Sequence, residues 1–167
     1  TFLLLAFLAN AQVKNIFDIA RKGNLQEIQA IYASDPKCID IPDERKSSPL
    51  ILACYRGNTD VALFIAEKTQ NLNYNSGMGT ALMAAVMSGN PTIIKKLIDL
   101  KADLNQADNN GKTALIYATF FNKTDIVKQL LDAGADRNKK DSDNRTALDY
   151  ATFNKNTELI ILLNKQQ

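Results

Sequence analysis

The chain has 167 residues, 46% hydrophobic and 23% charged, a balance that predicts a folded soluble chain of one domain or one solenoid and excludes disorder. Twenty basic residues against eighteen acidic ones give a net charge of +2, which leaves no polyanion-binding footprint and predicts no nucleic-acid partner. His and Trp are absent, and the lack of His removes most zinc sites, the Ser-His-Asp arrangement and the usual general base near neutral pH.

Residues 1 to 12 read TFLLLAFLANAQ, unlike all that follows. An uncharged apolar run leads to Ala9-Asn10-Ala11, a small-x-small site before Gln12. This reads as the core and cleavage site of a secretory signal peptide whose basic start precedes the fragment, with an apolar capping helix as the alternative. A membrane-spanning helix would need about 20 apolar residues. Residues 1–11 are therefore set apart from 12–167.

From Val13, helical signals alternate with turns. Ile16, Ile19 and Ala20 share one helix face; Gly23-Asn24 is a turn; Leu25, Ile28, Ile31 and Tyr32 supply a second helix, which Asp35-Pro36 stops. Ser48 is a candidate N-cap for a helix starting at Pro49, with Ala53 and Cys54 small enough to let paired helices approach. The next helix carries Val61, Leu63, Phe64 and Ile65, and its closing loop, Thr69 to Asn73, has no Gly. Ser76-Gly77-Met78-Gly79 is a turn that counts as one residue short, so an altered loop is expected there. Met83, Ala85, Val86, Ile93, Ile94, Leu97 and Ile98 are core candidates. In Asp108 to Asn138, Asn109-Asn110-Gly111 is a turn, Ile126, Val127, Leu130 and Leu131 form one helix face, and Gly134 is a left-handed cap.

The unit recurs at a period of 33: Thr113-Ala114-Leu115 returns as Thr146-Ala147-Leu148, and Tyr117-Ala118-Thr119-Phe120 as Tyr150-Ala151-Thr152-Phe153. Earlier copies contain Ser48-Pro49-Leu50 and Thr80-Ala81-Leu82. Such a period means stacked supersecondary units. Ser48-Pro49-Leu50, Asp108 to Thr113 and Gly134-Ala135-Asp136-Arg137-Asn138 resemble the D-x-x-G-x-T-P-L-H opening and G-A-D-x-N closing of ankyrin repeats. The resemblance implies an all-α ankyrin-repeat solenoid of about five repeats, bounded near 13–42, 43–74, 75–107, 108–140 and 141–167. The family's His, which ties neighbouring loops, is replaced by Ile51, Met83, Ile116 and Asp149.

Chemistry is sparse. Asp141-Ser142-Asp143-Asn144 resembles half a calcium loop but lacks its Gly and terminal Glu, and reads as a turn. No Gly-rich phosphate loop or catalytic constellation is present. No catalytic, cofactor or metal residue is expected, and the chain is expected not to be an enzyme. Cys38 and Cys54 read as buried free thiols, with a disulfide as the alternative after export. Asn122-Lys123-Thr124 and Asn144-Arg145-Thr146 match the glycosylation sequon, relevant only in a eukaryotic secretory pathway.

The resemblance further implies that binding uses the concave face, made by the loop tips and the outer side of each first helix. The register places Tyr55 and Arg56, Met87 and Ser88, Phe120 and Phe121, and Phe153 and Asn154 there. Aromatic residues, Met and Arg are enriched in interface cores. Arg45, Asn110, Lys112 and Arg145 add a polar rim. The expected function is non-catalytic protein binding, by a monomer or within a heteromeric complex, with no membrane association after signal cleavage. With the signal reading, the chain is an exported bacterial protein, periplasmic or secreted, that inhibits or protects an enzyme; the alternatives are a secreted effector acting on a host protein, and a cytoplasmic location if residues 1–11 are retained.

Overall fold

The computed structural model describes residues 15–165; residues 1–11, on which the signal-peptide reading falls, lie outside them. Ten short α-helices and no strand are found among the described residues. They are α1 (Ile16–Lys22), α2 (Leu25–Ser34), α3 (Pro49–Arg56), α4 (Thr59–Lys68), α5 (Ala81–Ser88), α6 (Pro91–Asp99), α7 (Ala114–Phe120), α8 (Thr124–Asp132), α9 (Ala147–Phe153) and α10 (Thr157–Asn164). A 3₁₀ turn, Pro36–Asp40, follows α2 and buries Cys38 and Ile39.

The starts of α3, α5, α7 and α9 have a local cause. Ser48, Thr80, Thr113 and Thr146 sit in extended backbone, and each side-chain oxygen accepts an N–H from the first turn, from Ile51, Met83, Ile116 and Asp149. In α9 the fourth of these residues closes a capping box, because the Asp149 carboxylate accepts the Thr146 N–H at 2.7 Å.

Helices this short are marginal alone. Stability comes from stacking. The inner helices pack in series, α1 on α3, α3 on α5, α5 on α7 and α7 on α9, and an outer row packs α2 on α4, α4 on α6 and α8 on α10. Ala53, Cys54, Ala85, Val86, Ala118, Thr119 and Ala151 are fully buried where inner and outer helices meet. Ile28, Ile65, Leu82, Ile94, Leu97, Leu115, Ile116 and Leu130 fill the spaces between repeats, each contributing about 1.5–3 kcal/mol relative to exposure. Leu25, expected on the buried face of α2, is instead 39% exposed. It is the first residue of α2 and has no preceding turn of its own helix to pack beneath.

Between the repeats project loop fingers. In three of them one carboxylate organises the loop. Asp43, Asp108 and Asp141 donate their N–H to the carbonyls of Ser47, Lys112 and Arg145, at 2.9, 3.0 and 2.9 Å. Their Oδ1 atoms accept N–H bonds from the residues two and four positions on. The third finger is altered, as expected: Asn75 stands in the Asp place, and the closing bond runs from Ser76 N–H to the Gly79 carbonyl.

The expected location of the missing residue is corrected. Asn75 precedes Thr80 by the same interval as Asp108 precedes Thr113, so Ser76–Gly79 is not short. The gap lies between Asn73 and Asn75: Asn58 precedes Asn73 by the same interval as Asn90 precedes Asn105, but Asn75 follows Asn73 by two residues where Asp108 follows Asn105 by three. Lys101 (φ 64°) follows α6 and Gly134 (φ 93°) follows α8, both in left-handed backbone. After α4 the chain leaves at Thr69 in extended backbone (φ −63°, ψ 142°) with no such residue. The exit from α4 differs in conformation and not in length, and Asp40 of the preceding repeat holds it, accepting the Thr69 hydroxyl and the Gln70 N–H.

The fingers are also joined to one another. Asn109 N–H donates to the Gly77 carbonyl and Ser142 N–H to the Asn110 carbonyl, both at 2.9 Å. No equivalent backbone bond joins the second finger to the third, where the Ser76 N–H turns inward to Gly79. Farther from the tips, Asn73 Oδ1 accepts the Asp103 N–H and Asn105 Oδ1 accepts the Asp136 N–H, both at 2.8 Å. Asn58 ties α4 to the first repeat through the carbonyls of Ile19, Ala20 and Gly23. These asparagines provide inter-repeat ties of the kind that the family's His supplies.

Candidate protein-binding face

Where α3, α5, α7 and α9 end, their last turns project away from the outer helices. Tyr55, Met87, Phe120 and Phe153 occupy one register position there, and they are 53%, 38%, 44% and 82% exposed. Phe121 is 44% exposed, and Arg56 and Ser88 are exposed beside their neighbours. The side chains thus form a discontinuous apolar stripe along the inner face. Arg45, Asn110 and Arg145 are exposed on the fingers, and Lys112 is half-buried.

Within the stripe the two halves differ, because one inner-helix position changes from Leu52 and Ala84 to Tyr117 and Tyr150. In the C-terminal half the tyrosines reach back to their own fingers. The Tyr117 phenol donates to Asp108 Oδ2, and the Tyr150 phenol donates to Asp141 Oδ2. Phe120 packs edge-on against Tyr150 with ring centroids 5.6 Å apart, and against Phe121 at 5.1 Å. Lys112 Nζ lies 5.7 Å from the Tyr150 ring centroid and the Arg145 guanidinium 5.9 Å from it. Lys112 Nζ is also 3.7 Å from Asp141 Oδ2. The rim cations Lys112 and Arg145 are therefore partly engaged with Tyr150.

Electrostatics follow from these contacts. Burial pushes the Asp141 carboxyl up, but the Tyr150 phenol, the N–H groups of Arg145 and Asp143 and the Lys112 ammonium outweigh it and hold the group below its ordinary value. Burial, then the bond to Asp108, pushes the Tyr117 phenol above its ordinary value. Asp141 is saturated by turn and phenol hydrogen bonds, which is the geometry of a turn and not of a calcium loop. Among the described residues no group of three or more His, Cys, Asp or Glu is placed to hold a metal ion.

In the N-terminal half that position of α3 and α5 carries no ring. Leu52 and Ala84 leave a groove of about 410 Å³ between the second and third fingers. Tyr55, Arg56, Met83, Met87 and Met78 line it, with Arg45 and an Arg21–Asp43 ion pair of 3.3 Å at its margin. Sequence reasoning placed Tyr55, Arg56, Met87 and Arg45 on this face but missed Leu52, Ala84, Arg21 and Met78. Aligning the fourth residue of each inner helix, Leu, Ala, Tyr, Tyr, would have revealed the gap.

Cys38 and Cys54 are both buried and unpaired with each other, as free thiols. No helix among the described residues is long and apolar enough to cross a membrane.

A stack of paired helices that presents one continuous inner face defines a protein–protein interaction module. The chain belongs to the ankyrin repeat family: the family model for ankyrin repeats (3 copies) matches residues 16–108 and again 82–167. Members of this family are typically non-catalytic binding modules. The chain is similar to Ankyrin repeat and SAM domain-containing protein 6 of Rattus norvegicus, 36% identical over 101 residues, and to the protein of that name from Mus musculus, 35% identical over 101 residues. Each match covers 59% of this chain and 11% of the relative, so the chain spans about a tenth of the length of those curated relatives.

Proposed function

We propose that the chain binds a partner protein, without catalysis, through its concave face. The observation that carries this is the exposed stripe of Tyr55, Met87, Phe120, Phe121 and Phe153 along the inner helices. Exposed apolar side chains in series mark interaction surfaces, and aromatic residues and Met supply anchors. A photo-activatable cross-linker placed in turn at Tyr55, Met87 and Phe121 tests it, with Lys95 and Lys128 on the outer helices as controls. Cross-links to one protein from the inner positions and none from the outer ones support the reading; the reverse pattern removes it.

We further propose that the module is exported, periplasmic or secreted, and that its partner is an enzyme it inhibits or protects. Export rests on the apolar run and the Ala9-Asn10-Ala11 site. Mass measurement of the mature N-terminus in separated cell fractions tests it. A start at Gln12 outside the cytoplasm supports export, and recovery from the medium or a host cell favours an effector. An intact apolar N-terminus in the cytoplasm overturns it.

A further inference from the structure

We propose that the groove between the second and third fingers takes an acidic segment of the partner, with a carboxylate next to an apolar side chain; this rests on the concave face being the binding face. The floor is apolar because Leu52 and Ala84 stand where Tyr117 and Tyr150 fill the corresponding space two repeats on. A volume of about 410 Å³ accommodates large side chains of a docked peptide. Met78, 86% exposed, and Met87 form adaptable walls suited to such a side chain.

Charge selects the rest of the occupant. Three guanidiniums line the groove, and Asp43 is the one carboxylate among its lining residues. Arg21 takes Asp43 Oδ2 at 3.3 Å, while Asp43 Oδ1 accepts the N–H groups of Arg45 and Ser47. The Arg45 and Arg56 guanidiniums are exposed and have no ion-pair partner among the described residues. In the C-terminal half the comparable cations already face Tyr150 and Asp141. The groove therefore combines a vacant apolar floor with uncommitted positive charge. Arg–carboxylate pairing there adds both orientation and affinity.

The test pans a random dodecapeptide display library against the full chain and measures enriched peptides, synthesised with a fluorescent label, by polarisation. The expected peptides carry Asp or Glu within two positions of Leu, Ile, Met or Phe. Their affinity falls at least about tenfold on Ala84→Tyr, which fills the floor, and on the surface variant R45E/R56E, which reverses the rim. Circular dichroism and urea midpoints establish that each variant is folded, and R45E/R56E alone decides the matter if Ala84→Tyr is not. Peptides without an acidic residue, binding indifferent to R45E/R56E, or no enriched peptide each overturn the proposal. Binding that ignores these variants but is lost in F120A/F121A overturns the groove and leaves the concave-face reading standing.

Discussion

The Tyr117 phenol donates a 2.6 Å hydrogen bond to Asp108 Oδ2, joining an inner helix to the finger that precedes it. The same carboxylate accepts two N–H bonds within the finger through its other oxygen. One residue therefore shapes the loop and anchors it to the helix. Tyr117→Phe keeps the ring stacked on Phe121, whose centroid is 6.3 Å away, and removes only the hydroxyl. It is expected to cost about 1.5–3 kcal/mol, the usual range for a hydrogen bond to a charged group. Urea unfolding measures this, and an unchanged midpoint would mean the phenol does not hold the finger.

Asp141 makes stability depend on acid. Its folded pKa lies below the ordinary value, so the native state favours the ionised form. The contribution is present above the unfolded pKa of about 3.9 and is lost as pH falls through the lower folded value. Asp149 acts in the same direction through the backbone and side-chain bonds from Thr146. Urea midpoints are expected to fall below about pH 4, with a shallower fall in Asp141→Asn. Parallel acid limbs for the two proteins would contradict this.

The position that ends the inner helices separates backbone strain from packing. Gly57 (φ 66°) and Gly89 (φ 75°) take left-handed backbone there, and Asn122 and Lys155 do so with side chains, at φ 54° each. An ideal Cβ at Gly57 meets nothing closer than 4.0 Å. Gly57→Ala is therefore expected to lose about 1–2 kcal/mol from conformation alone. Lys155→Gly is expected to gain about 0.5–1 kcal/mol in equilibrium unfolding, since the strain it relieves exceeds the added freedom of the unfolded chain. A destabilised Lys155→Gly would show that the lysine does more than turn the chain.

Cys54 is fully buried and burial pushes its thiol well above the ordinary value; Cys38 is also buried, and burial, then Asp35, pushes its thiol up. Neither is expected to react with a thiol reagent on mixing, and both should react once urea unfolds the chain. Cys54→Thr should cost less than about 1 kcal/mol, because Thr119 at the same register donates to the Leu115 carbonyl at 2.9 Å; Cys54→Leu should cost about 1–3 kcal/mol by overpacking.

Much of this fold is written in local signals. Ser48, Thr80, Thr113 and Thr146 announce helix starts because capping needs only a side-chain oxygen beside its own first turn. Ile126, Val127, Leu130 and Leu131 announce a buried face through spacing alone. The exposed stripe was legible for the same reason, as Tyr55, Met87, Phe120 and Phe153 share one register. The Tyr–Asp ties were not, since they depend on a finger folding back over a helix. The groove was less legible still: it exists because Leu52 and Ala84 fail to fill a space, and a missing ring leaves no periodic signal. The misplaced gap has a similar cause. Gly77 and Gly79 drew attention to the turn, while the residue lost between Asn73 and Asn75 left no glycine or proline to mark it.

Between the second and third fingers a side chain takes the place of the backbone bond: the Tyr74 phenol donates to the Lys46 carbonyl at 3.0 Å. Toward the C-terminus successive tips are latched backbone to backbone, Gly77 to Asn109 and Asn110 to Ser142. Beneath this junction α3 packs on α5. A ligand seated in the groove therefore meets the one pair of neighbouring fingers, among those from the second to the fifth, that a side chain and not the backbone joins.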